Sequence, residues 1–235
     1  MTQFLITTKG LAKAYQDSIA LQPLDLQLQS NRIYGLIGRN GSGKSTLIKL
    51  LAELEQPCFG SINTPNNLTC GYVSNELGYP NFIKLNALSE LFKKSHQLWD
   101  EERYLDVLQI FGLNDLSAYG NLSTGQKAGV KLAVLLAQHH KIWLLDEATL
   151  GIDIVAQGHS LTALLKYFIE DEPCVLFCTH DMNEIERLAD EVLVMEAGRI
   201  HWQGEKDELI QDPNTLSESV YSLFNNQELL QGAGA

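Results

Sequence analysis

Ile33-Tyr34-Gly35-Leu36-Ile37-Gly38-Arg39-Asn40-Gly41-Ser42-Gly43-Lys44-Ser45-Thr46-Leu47-Ile48-Lys49-Leu50-Leu51 joins two apolar runs through a glycine-rich turn. The first five residues read as a strand covered on both faces, because apolar character is continuous rather than alternating. The last five have helical character. Between them, Gly38 to Ser45 matches G-x-x-x-x-G-K-[ST], a phosphate-binding loop. The glycines let backbone N–H groups curl around phosphate oxygens, and the following helix presents its positive end. Lys44 neutralises phosphate charge, and the Ser45 hydroxyl is a hard oxygen ligand suited to Mg²⁺. Gly38, Asn40, Gly41, Ser42, Gly43, Lys44, Ser45 and Thr46 are therefore candidate nucleotide contacts.

On the N-terminal side, Phe4 to Asn31 reads as β-rich. Phe4-Leu5-Ile6-Thr7-Thr8 is one strand, and Leu24, Leu26 and Leu28 alternate with Asp25, Gln27 and Gln29 as in a half-exposed antiparallel strand. On the C-terminal side, the pattern turns helical from about Glu76 to Tyr119, with Leu85, Leu88, Leu91, Phe92, Tyr104, Leu105, Leu108 and Phe111 spaced by three and four. Gly112 and Gly120-Asn121 punctuate it. A helix from Gly125 to Ala137 follows, then a strand at Ile142–Leu145 and a helix around Gln157–Phe168. A strand at Val175–Cys178, a helix at Asn183–Ala189, a hairpin at Glu191–Gln203 and a polar helical tail complete the pattern. Strands alternating with helices around a phosphate loop imply an α/β P-loop NTPase fold with a mostly parallel sheet. An antiparallel β subdomain and a helical lobe, about 76–137, accompany it within a single domain spanning 1–235.

Leu122-Ser123-Thr124-Gly125-Gln126 resembles the LSGGQ signature of ABC ATPases, with Thr124 in place of the first glycine. Ile142 to Glu147 resembles the Walker B strand and catalytic glutamate of that family, Ala148 to Asp153 its D-loop, and Cys178-Thr179-His180-Asp181 its H-loop. The likeness runs from about Leu5 to Gly204, and its specificity lies in the joint order of short motifs. It implies ATP and Mg²⁺ as ligands, Glu147, His180 and Lys44 as catalytic residues, and Asp146 as a metal residue beside Ser45. It also implies Tyr15 as the aromatic that stacks on adenine. Ser123, Gly125 and Gln126 would contact the γ-phosphate held by a second copy, so two ATPs lie between two subunits. Locally, Ser123 is also a good helix cap ahead of the apolar stripe Val130, Ala133, Val134 and Ala137. The chemistry stands without the name: hydrolysis needs an oriented water, a proton acceptor and cations for the developing charge. Asp146 and Glu147 end one apolar strand, and His180 follows another.

Three positions depart from the family pattern. Asn75 stands where the Q-loop has glutamine, a metal and nucleotide contact whose reach shortens by roughly 1.5 Å with one methylene fewer. Either water bridges the gap or coupling to the membrane subunit is altered. Ala148 replaces a proline, and Leu150 a small polar residue. None removes the base or the phosphate ligands.

Hydrophobic residues make up 45% of the 235 residues and the net charge is −12, which fits a full core and opposes binding to a nucleic-acid backbone. No apolar run approaches the ~20 residues of a membrane-spanning helix. Met1-Thr2-Gln3-Phe4 lacks a basic run followed by an apolar stretch, so no secretory signal is expected. These features lead to the expectation of a soluble, intracellular protein; the resemblance implies a cytoplasmic subunit, peripheral on the membrane through a separate permease subunit and paired with a second ATPase subunit. Cys58, Cys70, Cys174 and Cys178 form no C-x-x-C pair and read as reduced thiols. The resemblance is to stand-alone bacterial ABC-2-type exporter ATPases, with export as the implied direction. The competing reading is a non-transport ABC ATPase such as a cofactor-assembly scaffold. A P-loop metabolite kinase would have no need of the signature or of His180.

Overall fold

The computed structural model describes residues 3–16, 18–65, 68–148, 154–209 and 215–223. Strands β1 (Phe4–Tyr15) and β2 (Ser18–Gln29) form a long antiparallel hairpin, and β3 (Arg32–Gly38) leads into helix α1 (Lys44–Leu51). Next come β4 (Phe59–Asn63) and β5 (Cys70–Ser74). A helical segment follows, with α2 (Leu85–Ser95), α3 (Glu101–Ile110) and α4 (Thr124–Leu136). Then β6 (Ile142–Asp146), α5 (Ile154–Asp171), β7 (Cys174–Cys178) and α6 (Met182–Leu188) alternate. The chain continues through the antiparallel pair β8 (Glu191–Glu196) and β9 (Arg199–Glu205) to the short α7 (Lys206–Leu209).

The larger sheet has strand order β5-β6-β7-β3-β8-β9, parallel except for β9, and the smaller has order β2-β1-β4, all antiparallel. This is the expected P-loop NTPase architecture. The continuous apolar strands of the larger sheet serve two cores at once. Tyr34, Leu36, Leu144, Cys174, Leu176 and Cys178 face α1 and the antiparallel sheet. Their alternates Ile33, Ile37, Trp143, Leu145, Val175 and Phe177 face the helical segment. Cys174 and Cys178 thus share a face, both buried and free.

The hairpin is longer than its sequence suggests. Apolar alternation fails after Thr8 because the pairing shifts register between Thr8 and Leu11. The Thr8 hydroxyl closes this irregularity inside the core, donating to Leu24 O and accepting from Leu26 N, both at 2.9 Å. Leu24, Leu26 and Leu28 are buried while Asp25 and Gln27 are exposed, as the alternation requires.

The helical segment is fastened to α5 by Arg103 of α3. Its guanidinium is buried and pairs with Asp171 at 2.5 Å and Glu170 at 3.0 Å, and also donates to Leu136 O. A second buried polar group lies where α4 meets β6. His140 Nε2 bonds Gln138 Oε1 at 2.8 Å, while Nδ1 has no partner among the described residues. Burial, with smaller effects from the neighbouring His96 and His139, pushes the His140 imidazole down to about 4. The neutral form is the one the fold accepts, so protonation favours the unfolded chain. Stability is then lost as pH falls below ~6.5, the ordinary histidine value, and the loss is complete near pH 4. The group should contribute up to roughly 3 kcal/mol of acid destabilisation. His140→Gln should flatten that slope, read as urea-unfolding free energy between pH 7 and pH 4.

Candidate functional site

The phosphate loop leaves the sheet at Gly38 and turns into α1 through Gly41 and Gly43, whose φ values are 78° and 107°. L side chains rarely occupy that left-handed region. A Cβ on Gly43 would stand 2.4 Å from Ala20 O, whereas one on Gly41 would meet nothing within 4 Å. The cradle is lined by Lys44, which is buried and donates from Nζ to Gly38 O at 2.8 Å and Arg39 O at 3.0 Å. Its ammonium is thereby held against the backbone of the loop itself. Asn40 and Gly41 are exposed at the loop tip, Ser42 is buried beneath Gly38, and Ser45 and Thr46 open α1.

Ser45 Oγ donates to Asp146 Oδ1 at 3.0 Å, across from α1 to the end of β6. Two oxygen donors converge there, which is the donor set a hard cation such as Mg²⁺ takes. The Cys178 thiol also donates to Asp146 Oδ1 at 3.0 Å. Burial first, then the Asp146 charge, pushes that thiol far above its ordinary range, so it remains a neutral donor. Glu147 lies one residue beyond β6 with φ of 50°, and its N–H donates to Cys178 O at 3.1 Å. This left-handed turn, costly for a non-glycine residue, swings the carboxylate away from Asp146. Glu147 Oε1 meets His180 Nε2 at 2.5 Å, and both side chains are part-exposed.

Asn75 is exposed just past β5. Its N–H donates to Asp146 O at 3.2 Å, while its carboxamide has no hydrogen-bond partner among the described residues. Tyr15, at the end of β1, donates its hydroxyl to Glu55, and Lys13 Nζ lies 5.0 Å from the centre of its ring. Ser123 caps α4 in a reciprocal box: its Oγ accepts from Gln126 N at 3.2 Å, and its N–H donates to Gln126 Oε1 at 3.1 Å. Gly125 is buried in the first turn. No hydrogen bond among the described residues joins Ser123, Gly125 or Gln126 to the phosphate loop. One chain therefore brings together Lys44, Ser45, Asp146, Glu147 and His180 but leaves the α4 start apart from them. Thr149–Asp153, most of the D-loop stretch, lie outside the described residues.

A family model for the ABC transporter matches residues 21–150. The chain belongs to the ABC transporter family. It is an ABC ATPase, 32% identical over 236 residues to the methionine import ATP-binding protein MetN of Staphylococcus saprophyticus, covering 89% of this chain and 68% of that protein. The MetN of Histophilus somni is 30% identical over 247 residues, covering 94% and 71%. Both names are those of import proteins, and the expectation of export finds no support in them. Among solved structures, an ATP-binding subunit of an ABC transporter matches with TM-score 0.82 at 23% identity, covering 94% of this chain and 99% of that one. The ATP-binding cassette MJ0796, in a dimeric post-hydrolysis state with ADP and Pi, matches with TM-score 0.73 at 23% identity, covering 86% and 98%. At that identity these likenesses establish the fold of the ABC cassette.

Several contacts were not legible in the sequence: Cys178 on Asp146, Glu55 and Lys13 around Tyr15, and Lys131 of α4 on the Asn75 carbonyl at 3.3 Å. Only Lys131 left a trace, as a lysine inside the apolar run Val130 to Leu136. The two loop glycines yield a test of the cradle alone. Gly43→Ala combines left-handed strain with a backbone clash and should cost roughly 2 kcal/mol or more, whereas Gly41→Ala should cost about 1 kcal/mol. Urea unfolding of the two variants without nucleotide measures both.

Proposed function

We propose that this ABC ATPase is the ATP-binding and ATP-hydrolysing subunit of a membrane transporter. It works on the cytoplasmic face against membrane-spanning subunits carried on separate polypeptides. Read this way, 1–235 is one cassette with a helical lobe at about 76–137. The observation that carries the catalytic part is the convergence of Lys44, the Ser45–Asp146 pair and the Glu147–His180 pair at one end of the larger sheet. In open α/β sheets that carboxyl end, near a reversal of strand order, is where ligands bind.

The residues divide the work as follows. The loop amides from Gly38 to Thr46 and the Lys44 ammonium hold the phosphates. Tyr15, tethered by Glu55, offers its ring to the adenine. Ser45 and Asp146 would hold Mg²⁺, and the Asn75 carboxamide would be a further oxygen donor for it, directly or through water. The cation, when bound, neutralises charge that develops between the β- and γ-phosphates. Glu147 accepts the proton of the attacking water. His180 fixes the Glu147 carboxylate through Nε2 and stands ready to contact the γ-phosphate. The start of α4 from a second copy closes the site: Ser123 and Gly125 offer helix-terminal donors, and Gln126 keeps that terminus in shape through the capping box.

Glu147→Gln preserves a hydrogen-bond acceptor for His180 but cannot take a proton. Turnover should fall by roughly 10²–10⁴-fold while ATP affinity changes by less than about two-fold. Steady-state hydrolysis above about a tenth of wild type removes Glu147 from the role of base. The same variant should sediment as a monomer without nucleotide and as a dimer with ATP and Mg²⁺, because the −12 charge on each copy opposes association until a shared γ-phosphate bridges them. A mass unaffected by ATP speaks against a sandwich formed by this chain alone.

A further inference from the structure

Lys131 lies in the middle of α4 and is 4% exposed. No carboxylate among the described residues pairs with it. Its Nζ donates instead to two consecutive main-chain carbonyls, Ser74 O at 2.9 Å and Asn75 O at 3.3 Å. A buried ammonium with only carbonyl partners is costly, and burial lowers its proton affinity below that of an ordinary lysine. An apolar side chain would serve packing better, since Val130, Leu132, Ala133 and Val134 around it are all buried. What the charge achieves is a hydrogen-bonded link between α4 and the end of β5.

The link has a continuation on its far side. Asn75 accepts from Lys131 through its carbonyl and donates through its N–H to Asp146 O at 3.2 Å. Asp146 in turn accepts from Ser45 Oγ at 3.0 Å. A chain of hydrogen bonds thus runs from the phosphate loop, through the end of β6 and the main chain at residue 75, to the helix that Ser123 caps.

We propose that Lys131 is a positioning residue for ATP hydrolysis: its ammonium clamps the main chain at Ser74–Asn75 to α4, so that nucleotide held at Ser45 and Asp146 sets the position of the Ser123 end of that helix. The inference rests on the functional reading above and deepens it. Among the described residues, Lys131 Nζ bonds only the main chain at Ser74 and Asn75. It acts on the site that its own α4 completes in the second copy.

The test uses the full chain and two variants. Lys131→Met keeps the length and burial of the side chain without the donors. Lys131→Gln keeps one short donor. With Met, the KM for ATP should change by less than about two-fold and kcat should fall by about ten-fold or more. The melting temperature should not fall, because an uncompensated buried charge has been removed. With Gln, kcat should be partly restored. Hydrogen exchange supplies the readout a merely structural role would not move. In wild type, ATP and Mg²⁺ should slow exchange at residues 74–76 and in the first turns of α4 together. In Lys131→Met only the phosphate loop should respond. Wild-type kcat in Lys131→Met, or an α4 response to nucleotide equal to wild type, overturns the clamp while leaving the ATPase reading intact. Loss of melting temperature and ATP affinity along with kcat in both variants assigns Lys131 to structure alone and also overturns it. Failure of the wild-type chain to bind or hydrolyse ATP defeats the functional reading itself, and the clamp with it.

Discussion

Ser74, Asp146, Cys178, Leu36 and Leu193 lie side by side across the larger sheet, joined in register by its parallel ladders. Three segments that carry candidate site residues leave the sheet just past this row. Asn75 follows Ser74, Glu147 follows Asp146, and Thr179-His180 follow Cys178. The phosphate loop starts two residues beyond Leu36. Because ladder hydrogen bonds fix registry, a slip of one residue in any strand would turn its side chains to the opposite face and move its loop along the strand axis by ~3.3 Å. Such a slip would also break the Ser45–Asp146 and Glu147–His180 contacts. The chemistry of the site is therefore a consequence of strand registry, and the apolar strands that look like plain core are what set it.

Registry alone would aim Asp146 and Glu147 as neighbours on a strand are aimed. The left-handed turn at Glu147 adds a second instruction. It is stabilised by the N–H of Glu147 on Cys178 O, the same residue whose thiol donates to Asp146. One cysteine thus organises both carboxylates, the first through its side chain and the second through its backbone. Two acidic groups this near each other would repel if both faced one point. Here Asp146 is buried against Ser45 and Cys178, while Glu147 is part-exposed against His180. That separation is what the proposed division of labour requires, with Asp146 as cation ligand and Glu147 as proton acceptor.

How much of this the sequence disclosed varied with the kind of interaction. The strand before Gly38, the loop and the helix after it follow from local pattern, as do the buried leucines of β2. The grouping of Lys44, Asp146, Glu147 and His180 came from the order of motifs, since no local periodicity brings residue 44 to residue 146. The full length of β1 was hidden because a register shift erases alternation, and the Thr8 hydroxyl that repairs it looks like any threonine. Donations to main-chain carbonyls, such as Lys131 on Ser74 and Asn75, carry no signature in the partner residue. A carbonyl is present at every position, so only the odd lysine in an apolar run marked that contact.

The substitution of asparagine for glutamine at residue 75 gains its physical meaning from these main-chain links. A shorter carboxamide loses reach, and the Asn75 side chain indeed makes no hydrogen bond among the described residues. The backbone of the same residue is held on both sides, by Asp146 O at its N–H and by Lys131 at its carbonyl. Those two bonds do not depend on side-chain length. If nucleotide at Asp146 is to influence α4, the main-chain route is short, buried at its Lys131 end and indifferent to the missing methylene. A family member with glutamine could use its side chain for the same connection. In this chain, we propose as the alternative a buried lysine that pairs with no carboxylate among the described residues, and the cost of burying it is the reason to regard it as more than packing.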